Sequence, residues 1–312
     1  MIKLFKPKFW DKKKISFIGI ILYPLTLITS LYIFLKRKFT RPKSFNISVI
    51  CVGNIYIGGT GKTPSSIYLA KELFNLGAKP VILRKYYKNH TDEYKQIKNN
   101  FKELIVEKNR VRGIELAEKK GYNVVILDDG LQDYKIKKKF KILCFHQSQQ
   151  IGNGLLIPSG PLRENLNVLK DVDVVFINGF KDIIFEKKLF EINQNLDIYY
   201  TNYVVENINK FKNKKLLAIA GIANPENFFR LLEENNLSVE DKLVFPDHYK
   251  FSKQEIQNIM LMAKERKLEL IMTEKDFYKI NEFNIKNLNY LKVNLKIDNK
   301  EKLIAKIRKI YE

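Results

Sequence analysis

Acidic side chains are almost missing from the first 43 residues, where Asp11 stands alone against eleven lysines and arginines, a local charge of about +10. The rest of the 312-residue chain holds 45 basic and 33 acidic residues, so the total of +22 is unevenly placed. A segment so one-sided asks for an anionic counterpart. Cysteine is scarce too. Two residues, Cys51 and Cys144, exclude a disulfide scaffold and a four-thiolate zinc site. Both lie in apolar runs (SVICV and KILCF) and read as inert strand residues in a reducing, cytosolic body. With only nine prolines, fourteen glycines and 45% hydrophobic residues, disorder and collagen-like repeats are excluded. Arginine is rare, nine against 47 lysines. That bias fits an AT-rich genome better than a nucleic-acid surface, so no nucleic-acid partner is expected, and no obligate protein partner. There is no internal repeat.

What is present begins with Ile15–Leu35, 21 residues without a charge. As a helix they reach about 31 Å, enough to cross a bilayer core. No small-residue cleavage site follows, which argues against a removed signal peptide. Lysines 3, 6, 8, 12, 13 and 14 precede the run, and Lys36, Arg37, Lys38, Arg41 and Lys43 follow it. Positive flanks prefer the cytoplasmic side, and here both are positive. Pro24 favours a kink or break. These features favour an interfacial or re-entrant helix on an anionic membrane surface over a buried soluble helix, with a single span left open. Trp10, Phe5 and Phe9 suit an interface anchor.

The chemistry starts at Ser48–Val52, an apolar strand. It runs into Gly53-Asn54-Ile55-Tyr56-Ile57-Gly58-Gly59-Thr60-Gly61-Lys62-Thr63-Pro64, and Ser66–Leu76 reads as a helix ended by Gly77. Strand, glycine-rich loop and helix are what a phosphate-binding P-loop needs. Backbone N–H groups of Gly58, Gly59, Thr60 and Gly61 would turn to phosphate oxygens, helped by the helix N-terminus. Lys62 would reach the β- and γ-phosphates, and the Thr63 hydroxyl would hold Mg²⁺. The strict consensus places a glycine where Tyr56 stands; the nearest is Gly53. A second strand, Asn123–Leu127, ends in Asp128-Asp129-Gly130, carboxylates placed to hold the metal or its water. No guanine-specificity motif appears, because Lys275 in Thr273–Asp276 is displaced by one position. ATP is therefore preferred to GTP.

Five segments in this order, GNIYIGGTGKTP (53–64), VILDDGLQDY (125–134), GNGLLIPSGPLREN (152–165), PDHYKF (246–251) and MTEKD (272–276), resemble the tetraacyldisaccharide 4′-kinase family, the lipid A 4′-kinases of Gram-negative bacteria. The resemblance runs from about residue 15 to 285 and includes the long P-loop spacing. It implies transfer of the ATP γ-phosphoryl group to the 4′-hydroxyl of a tetraacyldisaccharide 1-phosphate lipid, at the cytoplasmic face of the inner membrane, with a peripheral or monotopic attachment. It implies that Asp92 is the base and that His248 orients it. It implies that Glu93 helps Thr63, Asp128 and Asp129 hold the metal. Asn54, Arg84, Arg110, Gln132 and Arg163 fall where substrate or nucleotide contacts are expected. The chain departs from the family at Leu83-Arg84-Lys85-Tyr86-Tyr87, which lacks two family glycines, in a shortened stretch up to Asp92, and at Asp133, where the family has His.

Further on, Asp171–Asn178, Lys215–Ala220 and Leu268–Thr273 read as strands, and Asn224–Leu232 and Ser252–Lys267 as helices, the last capped by Ser252 with Glu255 three residues on. Residues 180–212 read as a polar connection. The expected fold is α/β: a P-loop NTPase-like core with a mostly parallel sheet, a second smaller α/β domain, and an N-terminal membrane-associated helix. The division is 1–43 anchor, 44–205 kinase domain, and 206–312 a C-terminal domain closing the active-site cleft. Two other readings compete with the kinase: a membrane-associated P-loop ATPase switch without a lipid acceptor, and a basic binding module with a degenerate loop.

Overall fold

The computed structural model describes residues 6–88, 90–247 and 249–311. They fall into two compact units. The larger holds Lys6–Tyr86, Phe101–Asn202 and 296–311; the smaller holds Tyr87–Asn100 and Tyr203–Leu295. The division differs from the sequence expectation in three places. The N-terminal helix belongs to the larger unit, residues 296–311 return to it, and Tyr87–Asn100 joins the smaller one.

In chain order the elements are α1 (Phe17–Phe39), β1 (Ser48–Gly53), α2 (Lys62–Asn75), β2 (Pro80–Lys85), α3 (Thr91–Asn100), β3 (Leu104–Glu107), α4 (Arg110–Lys119), β4 (Val124–Asp128) and β5 (Phe140–His146). Then come β6 (Val174–Asn178), α5 (Ile183–Phe190), β7 (Asp197–Val205), β8 (Lys215–Ala220), α6 (Pro225–Glu234), β9 (Ser238–Val244) and α7 (Lys253–Glu265). Last are β10 (Glu269–Thr273), α8 (Glu274–Ile280), β11 (Tyr290–Leu291), β12 (Val293–Ile297) and α9 (Lys300–Tyr311).

One sheet has eight strands in the order β12-β7-β6-β5-β1-β4-β2-β3. The pairings from β7 through to β3 are parallel. Its central strands carry near-continuous apolar runs, as a sheet covered on both faces requires: Ile50, Cys51, Val52, Val124–Leu127 and Val174–Ile177 are buried. β1 lies between β5 and β4, the point where strand order reverses, and in such sheets ligands bind at the carboxyl ends there. The other sheet, β11-β10-β8-β9, is also parallel and lies in the smaller unit.

Several expectations change. The stretch 180–212 is not a mere connection, since it contains α5 and β7, a strand of the large sheet. α2 begins at Lys62 rather than Ser66, so Lys62 and Thr63 occupy its first turn. The strand expected from Asp171 starts at Val174, after a 3₁₀ turn over Leu166–Asp171. α1 continues through Pro24, because proline removes a single ladder donor while the remaining turns keep theirs. Its last turn carries Lys36, Arg37 and Lys38, which complement the helix dipole.

α1 is held to the larger unit along one narrow seam. The Thr26 hydroxyl donates to the Leu156 carbonyl at 3.2 Å and to Ser159 Oγ at 2.8 Å, and it accepts the Ser159 N–H at 3.2 Å. Before it, Trp10 Nε1 donates to the Pro158 carbonyl at 3.0 Å. Gly19 and Thr26 are buried, whereas Phe17, Ile21, Ile28, Tyr32 and Phe34 are among the apolar residues left exposed. Among the described residues α1 is the one helix long and apolar enough to cross a membrane.

Candidate active site

The phosphate loop leaves β1 at Gly53, where an added Cβ would lie 2.6 Å from Leu131 Cβ, so glycine permits the turn after β4 to pack here. Tyr56, at the position where the strict consensus has glycine, fills the core, and its hydroxyl accepts from Lys6 Nζ at 2.9 Å. Asn54 is buried and ties the loop from inside, donating to Thr60 Oγ1 at 2.8 Å and to the Gly58 carbonyl at 3.3 Å. Gly61 then turns the chain into α2 with φ +88°, a left-handed conformation that favours glycine.

Strand register sets the rest. Val52 of β1 pairs with Asp128 of β4, and Asp128 pairs on its other side with Arg84 of β2. Asp128 is fully buried at the end of its strand. It accepts from Thr63 Oγ1 at 3.0 Å, from Ser66 Oγ at 3.4 Å, and from the Arg84 guanidinium, which also donates to Thr63 Oγ1 at 3.2 Å. Asp129 follows with φ +58° and faces other cations: Arg163 NH2 at 2.7 Å and Lys62 Nζ at 3.9 Å. Burial acts to raise the Asp129 pKa, but Lys62 and Arg163 outweigh it and hold the carboxyl well below the usual range. Burial lowers the Lys62 pKa, against the attraction of Asp129.

The remaining expected contacts act as braces. Arg163 also bonds the side chain and carbonyl of Asn54, the latter at 3.1 Å, and Gln132 Nε2 donates to that carbonyl at 3.0 Å. Arg110 donates to the Asp129 carbonyl at 2.6 Å and lies 3.5 Å from Asp133 Oδ2. Asp133 thus gives a charge partner to Arg110. Lys62, Arg84, Arg110 and Arg163 together outnumber Asp128, Asp129 and Asp133, so this end of the sheet is prepared for an anion. Glu164 carries no signal of its own in the sequence beyond its place in the segment 152–165. It is buried beside Arg163, accepts from the Tyr134 hydroxyl, and has its pKa raised by burial. Cys51 and Cys144 are buried thiols whose pKa values burial pushes up to about 11 and about 12, in keeping with inert strand residues.

Thr63 and Asp128 offer hard oxygen donors 3.0 Å apart, which fit Mg²⁺. Among the described residues no group of three His, Cys, Asp or Glu side chains forms a metal cage. Mg²⁺ in nucleotide sites commonly takes one or two protein ligands, the substrate phosphates and water, so no cage is required.

Asp92 and Glu93 lie in the smaller unit, in the first turn of α3. Asp92 is not a solvated loop acid, being 3% exposed. Lys275 and Lys279, both from α8, each place Nζ 3.9 Å from Asp92 Oδ2. Lys275 Nζ also lies 3.3 Å from Glu93 Oε1 and 2.9 Å from Asp247 Oδ1. Burial acts to lower the Lys275 pKa, but Asp247, Glu93 and Asp92 prevail and raise it, so the ammonium stays charged. Lys279 is held in turn by Asp276 at 2.8 Å, and Asp276 accepts the Gly221 N–H at 2.7 Å. Glu93 is engaged by Lys275 and by His90 Nδ1 at 2.9 Å. His248 lies outside the described residues.

Three comparisons bear on this arrangement. Residues 18–312 match the family model for tetraacyldisaccharide-1-P 4′-kinase. A tetraacyldisaccharide 4′-kinase of Pelagibacter ubique is 40% identical over 316 residues, spanning 100% of this chain and 99% of the relative. One of Rickettsia akari is 35% identical over 333 residues, spanning 99% and 98%. A crystal structure of LpxK from Aquifex aeolicus in complex with ATP shares the fold, with TM-score 0.72 at 24% identity, covering 95% of this chain and 100% of that one. This chain belongs to the tetraacyldisaccharide-1-P 4′-kinase family.

Proposed function

We propose that the protein transfers the γ-phosphoryl group of ATP to the 4′-hydroxyl of a tetraacyldisaccharide 1-phosphate, a step of lipid A biosynthesis, and that it does so from the cytoplasmic side of the inner membrane. The observation that carries this reading is the phosphate loop 58–63 set against Asp128 and Asp129 at the reversal point of a parallel sheet, in a chain of this family.

Phosphoryl transfer demands positioning and charge stabilisation more than covalent chemistry from the protein. The N–H groups of residues 58–61 and the α2 N-terminus receive the β- and γ-phosphates. Lys62 follows the charge as it moves toward the leaving oxygen. Thr63 and Asp128 would hold Mg²⁺, with Asp129 next to them, and the bound ion would supply neutralisation of phosphate charge. Arg84 donates to the same pair of oxygens and would share them with the ion. Arg110, Gln132 and Arg163 keep Asp129 and the loop in register, and Arg163 has donors to offer a phosphate.

Asp92 takes the proton of the attacking hydroxyl, with His248 as its orienting partner and Glu93 supporting the metal side. Lys275 and Lys279, each 3.9 Å from Asp92 Oδ2, hold that carboxyl group in place. α1, with its exposed apolar face and basic ends, seats the enzyme on the bilayer that holds the lipid. Its polar seam through Thr26 favours a helix lying at the interface, still bound to its own unit.

Purified protein, radiolabelled ATP and Mg²⁺ are incubated with the disaccharide lipid. Label in the lipid is expected. ATP hydrolysis that never labels the lipid would instead support a switch ATPase.

A further inference from the structure

We infer that the start of α5 is a second membrane contact, in which Phe180, Ile183 and Ile184 enter the head-group region of an anionic bilayer. The inference rests on the reading that α1 is seated on that bilayer.

These three side chains are 62%, 60% and 73% exposed, within five residues of one another. α5 turns Phe185 and Leu189 into the core, so its outer face has no structural need for isoleucine. Scattered exposed apolar residues are ordinary, but a compact group of three at a helix start is not. Lys181, Lys187 and Lys188 surround them and are exposed. The nearby acids point elsewhere: Asp182 caps α5 through the Phe185 N–H at 3.0 Å, and Glu186 accepts the Tyr200 hydroxyl at 2.9 Å. The outward surface is therefore apolar with a basic rim, the pattern of an interfacial anchor.

Its position agrees. β6 is parallel to β5, and β5 to β1, so α5 starts from the sheet end that carries the phosphate loop. A short chain of bonds joins it to the N-terminal segment. Gln150 Nε2 donates to Asp182 Oδ2 at 2.7 Å, and the Phe180 N–H donates to Gln147 Oε1 at 3.2 Å. Three residues after Gln150, the Asn153 N–H donates to the Trp10 carbonyl at 3.0 Å. At ~3.8 Å per residue, α5 and the Trp10 turn leading into α1 are bridged by about 11 Å of chain. A second copy of the chain is a poor occupant, since a stable protein interface takes roughly 20–30 residues a side. A bilayer accepts a few apolar side chains and rewards lysines around them.

The test uses the full chain carrying Ile184→Cys labelled with an environment-sensitive fluorophore; the native Cys51 and Cys144 are buried and will not compete. A parallel Ile28→Cys protein reports on α1. With phosphatidylethanolamine–phosphatidylglycerol vesicles, both labels are expected to shift to the blue and to be quenched by lipid-borne quenchers. The Ile184 response should weaken several-fold on phosphatidylcholine vesicles. A response at Ile28 with none at Ile184 overturns the second contact and leaves the α1 reading standing. Silence at both positions overturns both. A blue shift at Ile184 that grows with protein concentration without vesicles shows a second copy there, and also overturns it. An equal Ile184 response on both vesicle types removes the anionic preference. As a separate check, Phe180→Ser combined with Ile184→Asn should weaken vesicle association about tenfold, and unchanged association overturns the proposal.

Discussion

The two charge clusters of this molecule are built to opposite rules. In the larger unit, Lys62, Arg84, Arg110 and Arg163 surround Asp128, Asp129 and Asp133, and the cations are in excess. In the smaller unit, Asp92, Glu93, Asp247 and Asp276 surround Lys275 and Lys279, and the acids are in excess. A cation-rich pocket lowers the cost of bringing in a polyphosphate. An acid-rich cluster with two lysines inside fixes the position of a buried carboxylate, Asp92, between two Nζ groups each 3.9 Å away. Each cluster holds its minority charge in place with several partners of the other sign, which fixes geometry as well as charge.

Four substitutions probe this contrast, in falling order of effect. Lys62→Ala removes the donor proposed to meet the transferred phosphoryl group and should lower kcat by about 10²–10³-fold, read by label transfer. Lys275→Met leaves Asp92, Glu93 and Asp247 facing one another without their shared cation. It should destabilise the protein by about 3 kcal/mol in denaturant unfolding, as loss of one partner from a buried charge group does. Asp129→Asn should cost about 1–3 kcal/mol at pH 7, the range for charged hydrogen bonds. Because the folded pKa of Asp129 is depressed, its stabilisation is present above the unfolded value near ~3.9 and is lost as pH falls through the folded one. The gap between wild type and Asp129→Asn should therefore close below about pH 4, measured by unfolding at a series of pH values. Thr26→Val, outside both clusters, should cost only about 1 kcal/mol by loosening the α1 seam.

The sequence made these regions legible to different degrees. The phosphate loop and the Asp128 strand could be read because their signals are local: a glycine-rich turn after an apolar run, and carboxylates at a strand end. Strand register then brought Arg84 beside Asp128, which no spacing in the sequence declares. α3 could not be read as a buried element, because only Asp92 and Ile97 are buried and no apolar stripe forms. Polar contacts to α8 and the turn after it hold it instead, among them Asn100 to Glu274 at 2.9 Å and Lys95 to Glu282 at 2.6 Å. α5 was hidden for the opposite reason. Ile183 and Ile184 lie outside its core face and blur the helical period that Phe185 and Leu189 would otherwise show.

The claim at the centre is that the cation-rich cluster binds phosphate while Asp92 removes the proton. Nucleotide affinity and single-turnover transfer, measured together on Asp92→Asn, separate those roles. ATP should bind as in wild type while transfer to the lipid falls by about 10²–10⁴-fold. Wild-type transfer by Asp92→Asn would contradict the account.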